Sequence, residues 1–277
     1  MSRQEFCAHI EHDLFLLLNS KSAQVGQQLV EMMGYATLTG GKRLRPASIY
    51  LGAEAVGGDT KKLDSKLRTL ALGLELIHCY SLVHDDLPAM DNDTLRRGKP
   101  TVHKAYGEAN AILCGDALLN YAMETLLEGV VRYDDPNFNK AALKIAECAG
   151  YKGMIYGQYL DINGAGKDIR SLIGLNQYKS GKLFEAGFAA GGILAGATEG
   201  TVKILCNYGQ NLGAAFQILD DIRDMKKDDI SVAKLAGEAK ARSYVVYYMG
   251  EAKKEAEKLQ VRDGLNALAD DMSRGEY

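Results

Sequence analysis

Residues 81–103, SLVHDDLPAMDNDTLRRGKPTVH, place four aspartates beside two arginines and two histidines. Asp85, Asp86 and Asp91 form a DDxxxxD pattern within this segment. The simplest interpretation is a solvated surface of paired charges, and the alternative is a site for a ligand with dense negative charge and its own cations. Asp85 and Asp91 do not share a helix face, but Pro88 would distort a helix and bring Asp91 back toward Asp85.

A second acidic cluster lies in FQILDDIRDM, residues 216–225. Asp220 and Asp224 are spaced i, i+4 on one helix face, with Asp221 beside them. Like charges at this spacing repel, and Arg223 lies one step around the helix and is not expected to face them. A bound cation is therefore expected, and carboxylate oxygens favour Mg²⁺, with Mn²⁺ as a substitute.

Basic side chains occur in three segments of the chain. These are Lys42, Arg43 and Arg45 in GGKRLRP (40–46), Arg96 and Arg97 after the first cluster, and Lys179 and Lys182, with Ser180 between them, in NQYKSGKLFEAG (176–187). Lysine and arginine both suit phosphate oxygens. His78 shares a helical stripe with Asp85. The combination predicts two diphosphates, one bound to carboxylates through Mg²⁺ and one held directly by basic groups.

Composition excludes several other classes of protein. The 277 residues have a net charge of -3, so no basic excess suggests nucleic acid. Five scattered cysteines without a CxxC pair favour a reducing cytosol over a disulfide framework or a zinc site. No signal peptide and no apolar run of membrane-spanning length is evident, so we expect a cytoplasmic protein without a membrane span.

The elements that must position these side chains are predicted to be helices. Apolar residues recur at three- and four-residue spacing, most clearly in 67–86, and strand-like alternation is nearly absent. We expect a single all-α domain over 1–277 with ten or more helices, since no repeat of fixed period indicates a solenoid. The Gly/Ala-rich stretch 186–197 predicts a closely packed buried helix. Breaks are expected near 57–60, 98–100, 133–137, 163–168 and 226–231.

These motifs together resemble the trans-isoprenyl diphosphate synthase family, and the bacterial-type farnesyl diphosphate synthases most closely. The similar stretches, in the order of the family, are GGKRLRP, HCYSLVHDDLPAMDNDTLRRGKPTVHKAYGEANAILCGDALL, GQYLDI, KSGKLFEA and FQILDDIRD. The resemblance implies an all-α bundle around a deep central cavity, usually a homodimer. It also implies a reaction in which the double bond of isopentenyl diphosphate attacks an ionised allylic diphosphate.

The resemblance assigns roles to individual residues. Those implied to hold Mg²⁺ against the allylic diphosphate are Asp85, Asp91, Asp220 and Asp224, supported by Asp86 and Asp221. Those implied to bind isopentenyl diphosphate are Lys42, Arg45, His78 and Arg97. Those implied to contact the allylic partner are Arg96, Lys179, Ser180 and Gln217, with Lys179 also counted as catalytic. Tyr80, five residues before Asp85, is the expected floor that limits the product to farnesyl length, because the neighbouring Ser81 is too small to block a chain.

The chain departs from the family pattern after Asp224. The usual Gly-Lys step, Gly-Ser-Asp and Lys before Thr-Tyr are missing, and the candidates to replace their charge are Lys226, Lys227, Lys234 and Lys240. Because of its charges, including Asp228 and Asp229, and its lack of an apolar stripe, we expect 226–242 to be a mobile lid in the absence of substrates. Alternative functions are a geranylgeranyl diphosphate synthase, a terpene cyclase, and a weakly active subunit of a heteromeric prenyl synthase. GGKRLRP and His78 argue against a cyclase, which binds no isopentenyl diphosphate.

Overall fold

The computed structural model describes residues 3–20, 26–164, 168–225 and 230–275. Within these ranges the protein is almost entirely α-helical, which confirms the predicted all-α class with ten or more helices. The helices are α1 (Arg3–Ser20), α2 (Gln27–Thr37), α3 (Leu44–Ala55), α4 (Asp64–Asp85), α5 (Val102–Tyr106), α6 (Glu108–Tyr133), α7 (Pro136–Ala149), α8 (Met154–Ile162), α9 (Ile169–Asn176), α10 (Lys182–Leu194), α11 (Glu199–Arg223), α12 (Val232–Ala236), α13 (Glu238–Ala256) and α14 (Asp263–Arg274). A π-helical turn, Gln177–Gly181, joins α9 to α10, and two short strands, β1 (Leu95–Arg96) and β2 (Lys99–Pro100), form a hairpin.

The chain forms two compact units. Unit 1 comprises residues 1–47 and 68–132, and unit 2 comprises residues 48–67 and 133–277. The predicted break at 57–60 lies between α3 and α4, and that at 133–137 spans the junction of α6 and α7. The break at 98–100 falls in the hairpin between α4 and α5, and those at 163–168 and 226–231 lie partly outside the described residues. The single domain and its deep central cavity stay predictions.

Helix α4 is the central element of unit 1. Every residue from 70 to 80 is buried, because the helix is apolar on most of its circumference and not only along the predicted stripe. Gly73 allows α6 to approach closely, since a Cβ atom there would lie 2.8 Å from the Leu126 side chain. The buried helix holds His78 and Tyr80 in fixed positions and delivers Asp85 at its last residue.

The hairpin after α4 positions the two adjacent arginines. Leu95 pairs with Pro100 and Arg96 pairs with Lys99, which leaves Arg97 and Gly98 as the two turn residues. Both have positive φ, 54° and 77°, as a type I′ turn requires. The hairpin therefore directs Arg96 and Arg97 differently although they are neighbours in the sequence.

Helix α10 is the buried centre of unit 2. Its small residues permit backbone contact: a Cβ atom at Gly191 would lie 1.9 Å from the carbonyl oxygen of Ile49 on α3. The helix packs against α7 and α11, and α11 packs against α13. The prediction of a closely packed buried helix in 186–197 is confirmed for the part that belongs to α10.

Among the described residues, no helix has the length and apolar character needed to cross a membrane.

Candidate active site

The first acidic cluster lies on a tight turn at the end of α4. The helix ends at Asp85, and the backbone N–H of Asp91 donates to the carbonyl oxygen of Asp85 at 2.9 Å. This hydrogen bond returns Asp91 to Asp85, as the sequence predicted. The physical cause differs, since Pro88 lies in the turn beyond the helix and does not distort it. Asp85 is half-buried and Asp91 is exposed, so both carboxylates can be reached by a ligand.

Asp86, the middle carboxylate, is held by Arg96. It is buried, and the Arg96 Nε donates to its Oδ1 at 3.1 Å while Nη2 contacts the same oxygen. Burial raises the pKa of Asp86, and the hydrogen bond from Arg96 opposes that rise. Arg96 also bonds Asp93 at 3.2 Å. Asp86 and Arg96, which the sequence analysis assigned to separate roles, are thus partners in one ion pair.

A basic cluster in unit 1 surrounds His78. The Arg45 Nη1 lies 3.2 Å from the His78 Nε2, and Arg97 donates to the carbonyl oxygen of Gly40. Burial, followed by the charges of Arg45 and Arg97, lowers the pKa of His78 well below its ordinary value. His78 is therefore neutral at pH 7, and its ring nitrogens act as hydrogen-bonding groups. A Cβ atom at Gly41 would lie 2.8 Å from the Arg97 guanidinium, which explains a glycine at that position.

Of the three basic residues in GGKRLRP, Arg43 does not face a ligand. Its guanidinium is fully buried and donates to Glu75 Oε1 at 2.6 Å, to the Thr37 carbonyl oxygen at 2.7 Å and to Glu11 at 3.1 Å. This corrects the expectation that Arg43 is available to phosphate. Lys42, the preceding residue, is exposed.

In unit 2 the π-helical turn positions Lys179 and Ser180. Gly157 of α8 lies directly against this turn, because a Cβ atom there would be 2.3 Å from the Lys179 backbone nitrogen. The Lys179 ammonium is 2.7 Å from Asp161, also on α8. Sequence reasoning missed Asp161, although it lies in the quoted GQYLDI stretch. The same stretch holds Gln158, whose buried amide has no hydrogen-bond partner among the described residues.

Ser180 begins a chain of hydrogen bonds that reaches α12. Its hydroxyl donates to Gln217 Oε1 at 2.6 Å, and Gln217 Nε2 donates to Asp221 Oδ1 at 3.2 Å. The other oxygen of Asp221 accepts from the backbone N–H of Val232 at 3.2 Å. Asp221 is buried, and so it lies on the opposite side of α11 from solvent.

The other two carboxylates of the second cluster remain accessible. Asp220 is half-buried and Asp224 is exposed, and the backbone N–H of Asp224 donates to the Asp220 carbonyl oxygen at 2.9 Å. The expectation that Arg223 does not face the aspartates is wrong, because its Nη1 is 3.1 Å from Asp220 Oδ1. The long arginine side chain reaches back along the i, i+3 direction.

Lys182, which the sequence analysis counted among the candidate phosphate-binding residues, belongs to a buried hydrogen-bond network instead. Glu185 accepts hydrogen bonds from Lys144 at 2.6 Å, from Lys182 at 2.7 Å and from Gln210 at 2.7 Å. Burial alone would raise the pKa of Glu185, but these three donors lower it to about 2. This network ties α7, α10 and α11 together behind the π-helical turn.

Tyr80 and Ser81, the two candidates for setting the product length, differ in burial. Tyr80 is buried, and its ring is nearly perpendicular to that of His84, with the centroids 5.8 Å apart. The Tyr80 hydroxyl has no hydrogen-bond partner among the described residues. Burial and the nearby Asp85 charge raise the pKa of Tyr80 to about 12. Ser81 is half-buried and donates to the His78 carbonyl oxygen at 2.9 Å.

The expected lid is only partly described. Lys226, Lys227, Asp228 and Asp229 lie outside the described residues. Residues 231–242 form α12 and the start of α13, and Val232, Ala233 and Ala241 are fully buried there. The expectation that this part of 226–242 lacks an apolar anchor is therefore wrong.

The carboxylates fit Mg²⁺ by the chemistry of their donors. Each cluster presents two reachable carboxylates, Asp85 with Asp91 and Asp220 with Asp224, and hard oxygen ligands suit this ion. Within the described parts of the chain no three side chains of Asp, Glu, His or Cys form a complete metal cage. Mg²⁺ usually keeps several waters and binds through one or two carboxylates plus substrate phosphates, so an incomplete protein cage is the expected arrangement.

A family model described as polyprenyl synthetase matches residues 26–271. The chain belongs to the polyprenyl synthetase family. It is 38% identical to the farnesyl diphosphate synthase of Geobacillus stearothermophilus over 223 residues, which cover 79% of this chain and 74% of that protein. It is 40% identical to the geranylgeranyl diphosphate synthase of Cyanophora paradoxa over 212 residues, 76% of this chain and 69% of that protein.

The fold is likewise that of a polyprenyl synthetase. The crystal structure of an FPP/GFPP synthase from Zymomonas mobilis superimposes with a TM-score of 0.84 at 33% identity and covers 96% of both chains. The predicted family and prenyltransferase class are confirmed, and the family uses isoprenyl diphosphates as substrates. These relatives are named for products of different length, so membership of the polyprenyl synthetases does not fix the length of the prenyl chain that this protein makes.

Proposed function

We propose that the protein is a Mg²⁺-dependent prenyltransferase that condenses isopentenyl diphosphate with dimethylallyl and geranyl diphosphates to give trans-farnesyl diphosphate. The observation that supports it most is the arrangement around α4. The buried, neutral His78 lies on α4, the helix that ends in the Asp85–Asp91 turn, and its Nε2 is 3.2 Å from the Nη1 of Arg45 on α3. One unit thus offers a direct diphosphate site and a carboxylate site together, as a two-diphosphate reaction needs.

The residues around His78 would hold isopentenyl diphosphate without a metal. Lys42 and Arg97 are exposed and cationic, and Arg45 is half-buried beside the imidazole. Arginine forks bind phosphate oxygens bidentately, and a neutral imidazole adds a directional hydrogen bond. These groups would orient the carbon–carbon double bond of isopentenyl diphosphate.

The accessible carboxylates would hold the allylic diphosphate through Mg²⁺, which when bound neutralises the charge on the leaving diphosphate. In unit 1 the proposed ligands are Asp85 and Asp91, and in unit 2 they are Asp220 and Asp224; Mn²⁺ would substitute by the same oxygen chemistry. Lys179, fixed by Asp161, would stabilise the charge that develops on the departing oxygens. The further proposed contacts of the allylic diphosphate are Arg96 in unit 1 and Ser180 and Gln217 in unit 2.

Product length rests on Tyr80. A buried aromatic side chain on α4, five residues before Asp85, would lie below the growing chain and stop it at fifteen carbons. A geranylgeranyl product is the second candidate, favoured by the 40% identity to the Cyanophora paradoxa protein. We also propose that the protein is a cytoplasmic homodimer. The alternative is a weakly active subunit of a heteromeric prenyl synthase.

The two diphosphate sites can be separated by kinetics. Asp85→Ala and Asp220→Ala should each lower kcat about a hundred- to a thousandfold, the usual cost of one transition-state stabiliser. Lys42→Ala and Arg45→Ala should mainly raise KM for isopentenyl diphosphate, and the exposed Lys203→Ala is a matched control for charge. Wild-type kcat in both aspartate variants would refute the proposed site.

A further inference from the structure

Asp221 differs from its two neighbours in the second cluster. It is buried, whereas Asp220 is half-buried and Asp224 is exposed. Each of its carboxylate oxygens accepts a hydrogen bond, from Gln217 Nε2 and from the backbone N–H of Val232, both at 3.2 Å. A carboxylate that is buried and engaged on both oxygens is poorly placed to serve as a third metal ligand.

The hydrogen bond from Val232 to Asp221 pairs a backbone N–H that has no acceptor within its own helix, α12. Val232 is the first residue of α12, and the first N–H groups of a helix have no intrahelical acceptor. Ser231 accepts from Lys234 and so leaves the N–H of Val232 to Asp221. The fully buried side chains of Val232 and Ala233 follow directly, so this one bond fixes where the α12 segment begins.

The bond to Gln217 sets the direction of the remaining hydrogen bonds. A carboxylate only accepts, and so the amide nitrogen of Gln217 must face Asp221 and its oxygen must face Ser180. The Ser180 hydroxyl then donates to that oxygen, at 2.6 Å. The charge of Asp221 therefore determines how Ser180 and Gln217 present themselves to a ligand.

We propose that Asp221 is a positioning residue that orients Ser180 and Gln217 in the allylic site and anchors the start of α12, and that it does not bind Mg²⁺. This rests on the proposed function only in so far as Ser180 and Gln217 contact the allylic diphosphate. The position of α12 is thereby connected to the state of the allylic site through four residues of unit 2.

The test uses Asp221→Asn, which keeps the shape of the side chain but turns one acceptor into a donor. We expect KM for the allylic diphosphate to rise about fivefold and the amides at the start of α12 to exchange about tenfold faster, the scale of one lost hydrogen bond. The Mg²⁺ concentration for half-maximal activity and KM for isopentenyl diphosphate should stay within twofold of the wild type. Asp220→Asn, the matched control, should shift the Mg²⁺ requirement.

A compensating pair distinguishes orientation from mere loss of stability. With Asp221→Asn and Gln217→Glu together, the asparagine nitrogen can donate to the new carboxylate, its oxygen can still accept from Val232, and Ser180 can still donate. Slow exchange at α12 should therefore return in the double variant, and this holds even if the single variant does not fold.

Three results would overturn the proposal. These are a shift in Mg²⁺ requirement in Asp221→Asn as large as that in Asp220→Asn, unchanged allylic KM and α12 exchange in Asp221→Asn, or no recovery of slow exchange in the double variant. The exchange measurements need no turnover. A protein with no prenyltransferase activity but with the predicted exchange pattern would refute the proposed function and leave the anchoring role intact.

Discussion

Gly157→Ala should disturb the allylic site without replacing any charged residue. The added Cβ would lie 2.3 Å from the Lys179 backbone nitrogen and 2.7 Å from its Cα, both main-chain atoms that cannot rotate away. Ordinary contact begins at 3.4 Å, so α8 and the π-helical turn must separate by about 1 Å. That displacement moves Lys179 relative to its partner Asp161 and to the substrate.

Two magnitudes follow from this geometry. Overpacking costs about 1–3 kcal/mol, and alanine regains about 1 kcal/mol of helix propensity, so the net loss of stability is about 0–2 kcal/mol. A catalytic group displaced by about 1 Å can lower the rate about a hundredfold. Activity should therefore fall far more than stability does.

The assay pairs urea unfolding with steady-state kinetics for each substrate. Gly174→Ala is the matched control, since Gly174 also lies in a helix of unit 2 and a Cβ atom there would meet nothing within 4 Å. The control should be as active as the wild type and up to about 1 kcal/mol more stable. A Gly157→Ala enzyme with wild-type kcat and allylic KM would refute the close approach of α8 to the turn.

Three further predictions concern buried side chains. The pKa of Glu185 is lowered from 4.5 to about 2, so its network stabilises the fold above pH 4.5 and loses that effect as the pH falls toward 2. Glu185→Gln should therefore lose about 3 kcal/mol of unfolding free energy at pH 7. It should also make the unfolding free energy fall less steeply below pH 4.5, and an unchanged fall would contradict the prediction. The lowered pKa of His78 makes the folded state less stable as the pH falls below 6.5. His78→Gln should therefore reduce the slope of unfolding free energy against pH between pH 6.5 and 5, whereas His12→Gln, at an exposed position, is the control and should leave that slope unchanged. Tyr80→Ala should yield twenty-carbon or longer products by chromatography of the dephosphorylated chains, whereas Tyr80→Phe should keep the wild-type length; an active Tyr80→Ala enzyme with unchanged products would remove Tyr80 from this role.

The spacing of apolar residues predicted the helices because each helix must bury an apolar face, and that requirement determines the local sequence pattern. The closeness of Asp91 to Asp85 was predicted, but its cause was not, since a turn beyond the end of α4 and not a distorted helix brings the two residues together. The π-helical turn was not predicted, because one extra residue in a helix leaves no mark on composition or spacing.

The roles of individual charges depended on tertiary packing. Arg43 is buried while Lys42 is exposed, because the Arg43 guanidinium donates to Glu75 and to the Thr37 carbonyl oxygen, partners that the local sequence does not reveal. Lys182 and Glu185 are themselves an i, i+3 pair within α10, but Lys144 and Gln210, which complete their network, come from helices distant in sequence that no local pattern records. The contact between Arg223 and Asp220, in contrast, follows from i, i+3 spacing and could have been predicted.

The identity of the product tests the central claim most directly. The purified protein is incubated with Mg²⁺, isopentenyl diphosphate and either dimethylallyl or geranyl diphosphate, with a parallel sample in excess chelator, and the dephosphorylated products are identified by chromatography and mass spectrometry. We expect all-trans farnesol from both allylic substrates and no turnover in chelator. Failure to extend either allylic substrate, or equal turnover in chelator, would contradict a Mg²⁺-dependent chain-elongating prenyltransferase.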